Sequence, residues 1–272
     1  MKPRTTAHFV TSSVIAASRE LTQVVYSNGT MTAVGSNVIV ETSVALTING
    51  EQWLSLLCTP IDLEVLAIGF LYNEGIITEL SEVESVRVCP QGDNVDVWLA
   101  HAVEKPLNWT RTSGCSGGIT GVVAQNDSPQ ILSNGGVLTA AQINHMLAEF
   151  YQVQALYQKT GGVHTSAVSD GRQIVIVAED IGRHNTLDKL AGRCLLEQLS
   201  PSRRILLTTG RISSEMLQKA ARLKAPIVIS RTSPSSRSVD MAESLGITLI
   251  GYARRDHFTI YTHPERIIVE PE

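Results

Sequence analysis

From residue 203 to residue 254 the sequence alternates short apolar runs with amphipathic ones: RRILLTTG, SSEMLQKAARLKA, PIVISR, SVDMAESLG and ITLIGYAR. The apolar runs are unbroken, as strands buried on both faces require, and the segments between them carry apolar residues at helical spacing. Strand, helix, strand, helix, strand in that order predicts a parallel sheet, because parallel neighbours need a crossover long enough to hold a helix. It also predicts where a ligand would sit, in the crevice beyond the carboxyl ends of those strands.

The preceding segments extend this plan. HTSAVSDGRQIVIVAED reads as a hairpin about Asp170-Gly171, and NTLDKLAGRCLLEQL as a helix with Leu187, Leu190, Cys194 and Leu195 inward. Thr139-Ala-Ala-Gln142 is a capping box, and Ile143, Met146, Leu147 and Phe150 follow at helical spacing until Gly161-Gly162 stop the run. Nearer the N-terminus, ETSVALTINGEQWLSLLCTP predicts a hairpin at Asn49-Gly50, a pair that tolerates the positive φ angles of a type I′ turn. DLEVLAIGFLYNEG reads as a helix with Asp62 as N-cap, Leu63, Leu66, Ala67 and Phe70 on one stripe, and Gly75 as its stop. SVRVCPQGDNVDVWLA predicts a second hairpin turning between Pro90 and Asn94. The fold class is therefore α/β (α+β overall). A small β-rich domain is expected over residues 1–110, a flexible loop over 111–135, and a larger α/β domain over 136–272.

With 272 residues, 43% of them hydrophobic, the chain can bury a core without staples. Its formal charge of −4 offers no global attraction to nucleic acid or an anionic membrane surface, so neither is expected as a partner and any anion site must be local. No window reaches the roughly 18 apolar residues a spanning helix needs. The apolar content of the N-terminal segment is broken by Thr, Ser and His, unlike a secretory signal, so a cytoplasmic location is expected. Cys58, Cys89, Cys115 and Cys194 show no CxxC spacing and no histidine pair has ligand spacing, so no zinc or other metal site is expected.

Three loops fall at the predicted carboxyl ends: Glu179 to Asn185 with Arg183 and His184, Thr209 to Glu215 with Arg211 and Ser213, and Arg231 to Arg237. Each sets arginine beside glycine or hydroxyl residues, a combination suited to phosphate, because guanidinium forks bind it bidentately and helix-opening N–H groups already face an anion. The bland alternatives are that Ser213 or Ser214 only caps a helix and that the arginines are solvated. The last strand runs into Gly251-Tyr-Ala-Arg-Arg-Asp-His257, adding Arg254, Arg255 and His257 at the same mouth. None of these loops is a Walker A motif, and no GxGxxG follows a strand. His164 and His263 read equally well as hydrogen-bonded structural residues. Of the thiols, Cys194 and Cys58 lie on apolar stripes. Cys115 lies in RTSGCSGG, where small neighbours leave room for a large partner, and free backbone N–H groups with Arg111 would favour thiolate.

RTSGCSGG, EDIGRHNTLDKLAG, TTGRISSEM and GYARRDHFTIYTHPER together resemble the FdhD/NarQ family of formate dehydrogenase accessory sulfurtransferases, and the similarity runs from ALTINGE through DLEVLAIGFLYNEGII to THPER. The resemblance implies a cytidine-deaminase-like three-layer larger domain and a homodimer. It implies sulfur taken as a persulfide from a cysteine desulfurase and passed to a molybdenum or tungsten bis(molybdopterin guanine dinucleotide) cofactor before its insertion into the formate dehydrogenase apo-enzyme. Carried onto this chain, Cys115 is the persulfide cysteine, and Tyr252, Ala253, Arg254, Arg255, Asp256 and His257 match the cofactor-binding segment. Some members have CxxC at the thiol loop; here Gly118 holds the second position, which leaves a single-cysteine relay. Deaminase chemistry is not implied, because His263-Pro-Glu265 is followed by no PCxxC. Two rival readings stand beside this one: a cofactor-binding chaperone in which Cys115 is dispensable, and a nucleotide-metabolising enzyme using the arginine loops.

Overall fold

A computed structural model of the chain describes residues 8–10, 15–106, 109–111, 119–121, 136–199 and 204–269. The N-terminal unit contains strands β1 (His8–Val10), β2 (Ser18–Ser27), β3 (Thr30–Ile39), β4 (Thr42–Ile48) and β5 (Glu51–Cys58), helix α1 (Leu63–Asn73), and strands β6 (Val83–Val88) and β7 (Asn94–Leu99). Five of them form a sheet in the order β1-β6-β7-β4-β5. The β4–β5 turn has φ of 49° at Asn49 and 85° at Gly50, as its sequence predicts. Alternate residues such as Val44, Leu46, Ile48, Val86, Val95 and Val97 are buried on the face that α1 covers.

Two features here depart from the sequence reading. Helix α1 is buried nearly all round rather than along one stripe, because a second helix packs on its far side. Asp62 occupies the N-cap position with φ of 52° but makes no capping bond; its carboxylate accepts from Arg193 Nη2 at 2.7 Å. Strands β2 and β3 pair only with each other, through a turn at Asn28-Gly29 (φ 49° and 82°) that carries the same signature as Asn49-Gly50.

A short antiparallel pair, β8 (Trp109–Arg111) with β9 (Ile119–Gly121), replaces part of the expected loop. Then come β10 (Leu138–Thr139), α2 (Ala140–Gln152), α3 (Ala155–Thr160), β11 (His164–Ser169), β12 (Ile174–Asp180), α4 (Arg183–Leu196), β13 (Ile205–Thr208), α5 (Ser214–Arg222), β14 (Ile227–Ser230), α6 (Ser236–Leu245), β15 (Thr248–Arg254), β16 (His257–Ile260) and β17 (Ile267–Ile268). The main sheet has the order β12-β11-β13-β14-β15-β16, with β13, β14 and β15 parallel.

Three layers follow from how successive residues of a strand face opposite ways. Ile205, Leu207, Ile227, Ile229 and Ile250 pack with Ile143, Met146 and Phe150 of α2 on one face. Leu206, Val228 and Leu249 pack with Leu187 and Leu190 of α4, Met216 and Leu217 of α5, and Ala242 of α6 on the other. The Thr139–Gln142 capping box is present, but the helix expected to run to residue 160 breaks at Val153–Gln154. The break is held from outside the segment, by Glu179 of β12 accepting from Leu156 N at 2.7 Å and Tyr157 N at 2.9 Å. Among the described residues no helix is long and apolar enough to cross a membrane.

Helices α1 and α4 join the two units through a backbone-to-backbone crossing. A Cβ added at Gly192 would lie 2.0 Å from Val65 O, and one at Gly69 would lie 1.7 Å from Asp188 O. No side chain can move aside to relieve a clash with a helix carbonyl, so Gly192→Ala is expected to cost about 3 kcal/mol in chemical denaturation. A loss below about 1 kcal/mol would contradict so close a crossing.

Candidate functional site

Strand β12 is antiparallel to β11, which is antiparallel to β13, so the carboxyl ends of β12, β13, β14 and β15 share one edge. The three loops singled out in the sequence therefore converge there. Backbone bonds stitch the second loop to the third and the third to the last strand: Ile212 N donates to Ser233 O at 3.2 Å, Ser235 N to Ile212 O at 2.9 Å, and Tyr252 N to Thr232 O at 3.0 Å. Ser230 Oγ donates to Gly210 O at 2.8 Å. Gly210 lies against Arg183, whose side-chain Cβ would be 2.9 Å from a Cβ placed on the glycine.

The edge is basic and layered by depth. Arg211, Arg254, Arg255 and His257 are exposed, Arg231 is half-buried, and Arg183 is buried. His164, at the start of β11, has Nδ1 3.3 Å from Thr209 Oγ1. Burial lowers its pKa first, and the charges of Arg183 and Arg211 lower it further against the opposing pull of Asp180. His184 is only 3% exposed. Burial, then Lys219, Arg183 and His164, push its pKa down to about 2, so the ring is neutral. Neither of its ring nitrogens finds a hydrogen-bond partner among the described residues. A neutral imidazole offers one donor and one acceptor, and leaving both unmet away from water is costly.

Several predicted site residues behave differently from expectation. Arg183 and His184 are not in a loop but form the first turn of α4, whose N-cap is Gly182. The hydroxyl of Ser213 is committed to the helix, accepting from Met216 N at 3.4 Å as the N-cap of α5. Ala253 is buried in the core with Ile250 and Phe258, so its side chain faces away from the edge. Tyr252 is exposed with φ of 52°, in a bulge between Gly251 and Arg254 that turns alternate side chains outward. Asp256 (φ 59°) accepts from Asn144 Nδ2 at 3.2 Å and lies 3.6 Å from Arg255 Nε. His263 is hydrogen-bonded, 3.2 Å from Glu243 O.

Sequence reasoning missed the residues that hold this edge in place. Asp180 and Lys189, both fully buried, pair at 2.7 Å. Asp180 also accepts from Thr59 N at 3.1 Å, Gly182 N at 2.8 Å and Asn185 Nδ2 at 2.8 Å. Asn185 reaches on to Leu57 O at 2.9 Å. Asp180, Asn185 and Lys189 of EDIGRHNTLDK thus tie the end of β5 to the entry of α4. A second buried cluster sets Lys219 Nζ 2.7 Å from both oxygens of Asp188, which also accepts from Asn73 Nδ2 at 2.7 Å. Ser166 Oγ, bonded to Thr208 Oγ1 at 2.9 Å and Thr186 Oγ1 at 2.6 Å, forms a hydroxyl floor beneath them. The only available signal was the density of polar residues on a helix whose apolar stripe already predicted burial.

The thiols separate by environment. Burial, then the Asp180 charge, pushes the Cys58 pKa up to about 12. Burial also raises that of Cys194. Cys89 Sγ donates to Asp93 Oδ1 at 2.8 Å and accepts from Asn94 N at 3.2 Å in the β6–β7 turn. Cys115 lies outside the described residues, between β8 and β9.

Fold and edge define an α/β protein that gathers arginine-bearing loops at the carboxyl ends of its main sheet. Among the described residues no three His, Cys, Asp or Glu side chains gather to hold a metal. The model of the FdhD/NarQ family matches residues 39–268, and the chain belongs to that family. It is 34% identical over 248 residues to proteins named sulfur carrier protein FdhD from Staphylococcus aureus strains bovine RF122 and JH9, an alignment covering 89% of this chain and 94% of each relative. A crystal structure from Desulfotalea psychrophila, described as that of a formate dehydrogenase accessory protein, superposes with a TM-score of 0.75 at 30% identity. That likeness covers 93% of this chain and all of the other.

Proposed function

We propose that this chain is a sulfur carrier with sulfurtransferase activity, working as a cytoplasmic homodimer in the maturation of a formate dehydrogenase. Thiolate Cys115 attacks the outer sulfur of a cysteine desulfurase persulfide. A new S–S bond forms on Cys115, the donor's S–S bond breaks, and the desulfurase cysteine leaves as thiolate. The substrate that receives the sulfur is the bis(molybdopterin guanine dinucleotide) cofactor. As the outer sulfur departs, the electron pair of the Cys115 S–S bond returns to Cys115, and the cofactor metal supplies the two electrons that make the sulfur a sulfide ligand.

The observation that carries this reading is the carboxyl edge, where the loops bearing Arg183, Arg211, Arg231 and Arg254 converge and where His184, buried at the start of α4, is neutral and finds no hydrogen-bond partner among the described residues. Guanidinium groups suit the dinucleotide phosphates. A neutral imidazole with a free donor and acceptor suits an uncharged polar edge, such as that of a nucleobase, better than it suits phosphate. Two further points support Cys115 as the carrier. Cys58 and Cys194 are buried with raised pKa values, and Cys89 is engaged in its turn. The relatives' names also point to sulfur carriage.

Guanine nucleotides at 100 times their Kd are expected to stabilise the protein by about 2.7 kcal/mol, read as a rise in Tm of roughly 5–10 °C. Arg211→Ala should weaken binding about tenfold and reduce that rise. Equal shifts in variant and parent would remove Arg211 from the site. The transfer itself is tested with isotopically labelled cysteine, desulfurase and cofactor-loaded dehydrogenase. Label should reach the cofactor only when this chain is present, and equal labelling without it would overturn the reading.

A further inference from the structure

We propose that His164 is a phosphate-contacting residue of the carboxyl edge: its Nε2–H donates to the dinucleotide, and the ring takes up a proton as the phosphates bind. This rests on the guanine-dinucleotide reading of the edge and deepens it by naming a ligand group and the pH response of binding.

The tautomer of the ring follows from its neighbours. Thr209 Oγ1 already accepts from Thr165 N at 3.1 Å, and the acceptor within its reach among the described residues is His164 Nδ1 at 3.3 Å. The hydroxyl proton is therefore directed at Nδ1, which leaves the neutral ring's own proton on Nε2. Nε2 has no hydrogen-bond partner among the described residues and, unlike both nitrogens of His184, it is not closed off from solvent. A half-buried imidazole held by one nitrogen thus presents an N–H donor where Arg183 and Arg211 act on it.

Strand register and alternation identify the charges around the ring. Asp180 is its partner across β11 and β12, Arg183 and His184 lie on the first turn of α4, and Arg211 follows β13. Glu179 belongs to the opposite face, where it accepts from Thr165 Oγ1 and Leu156 N. Asp180 is engaged by Lys189, Gly182 and Asn185. Without a bound anion, a protonated His164 would therefore stand beside two guanidinium groups, and burial with those two charges holds its pKa below the ordinary value. A pyrophosphate reverses this balance, because its negative charges favour the imidazolium. The proton comes from solvent and goes to Nδ1. Thr209 Oγ1, which has a second lone pair, then turns its own proton away and accepts from Nδ1–H, while Nε2–H donates to phosphate. Both nitrogens of the charged ring are satisfied, and the phosphate bond gains the strength of an ionised donor on an ionised acceptor.

Calorimetry of the full chain with diguanosine pyrophosphate tests this, because each phosphate of that probe keeps a single charge with no hydroxyl titrating near neutrality. The parent's Kd is expected to fall about fivefold or more from about pH 8 to about pH 6.5, with net proton uptake revealed by buffers of different ionisation enthalpy. His164→Gln keeps an amide donor but cannot take up a proton, so its Kd should change less than about twofold over the same range. An equal pH response in His164→Gln assigns the proton to another group, such as exposed His257, and overturns the inference. Binding to the parent that ignores pH also overturns it, while leaving the dinucleotide reading standing; no binding at any pH removes both. Should His164→Gln fail to fold, deuterium exchange at the imidazole carbon of each histidine in the parent, read by mass spectrometry, decides. The titration midpoint of His164 must rise by about one pH unit or more when the probe is added, and an unmoved midpoint overturns the inference.

Discussion

In a strain lacking the native protein, the Cys115→Ser variant is expected to leave formate dehydrogenase as inactive as no protein at all, while guanine-nucleotide binding stays at the parent's level. The two readouts separate chemistry from binding. Serine keeps the size and most of the polarity of cysteine, so a chain that only sheltered the cofactor would tolerate it. A carrier cannot, because a hydroxyl does not accept and release sulfane sulfur by thiol–disulfide chemistry. The other three cysteines offer no substitute. Cys58, raised to about 12, has almost no thiolate at neutral pH, and Cys194 is also buried with a raised pKa. Cys89 is tied to Asp93 and Asn94 on the β6–β7 turn of the N-terminal sheet. Parent-level activation by Cys115→Ser would favour a chaperone.

Asp180→Ala is expected to produce the largest loss of stability, about 3–5 kcal/mol, because it leaves the Lys189 ammonium fully buried without its counter-ion. For a chain of this size that corresponds to a fall in Tm of roughly 10 °C or more. The carboxylate also accepts from Thr59, Gly182 and Asn185, so its removal strands donors on both units at once. Lys189→Met alone should be costly for the mirror-image reason. The pair Asp180→Ala with Lys189→Met should cost much less than the sum of the single changes, since removing both charges removes the uncompensated one. Urea unfolding of the singles and the double checks this. Additive losses would show that the two groups do not act as a pair.

What could be read from the sequence was what depends on local period. The unbroken runs at 205–208 and 227–230 are fully buried strands, and Asn49-Gly50 and Thr139–Gln142 form the turn and the capping box that their residue types demand. The carboxyl-end rule brought Arg183, Arg211 and Arg231 to one edge, since strand direction alone fixes that placement. What could not be read depends on partners distant in sequence. Glu179 breaks the helix after Gln152 from another element, and Thr59 meets Asp180 across 121 positions. Lys189 and Lys219 look like solvated helix charges until their buried carboxylates are known. Ser213 and Ala253 face as they do because of backbone phase, a cap in one case and a bulged strand in the other. The β2–β3 ribbon was legible in principle, since Asn28-Gly29 repeats the signature that identified β4–β5, but its residues lack the alternation that a covered face imposes.

The central claim is that one thiol carries sulfur, and intact-mass measurement after incubation with a cysteine desulfurase, cysteine and pyridoxal phosphate tests it most directly. The account predicts a gain of one sulfur atom by the parent and by the Cys58→Ser, Cys89→Ser and Cys194→Ser variants, reversed by reductant and absent in Cys115→Ser. An unchanged mass in the parent, or the same gain in Cys115→Ser, would contradict it.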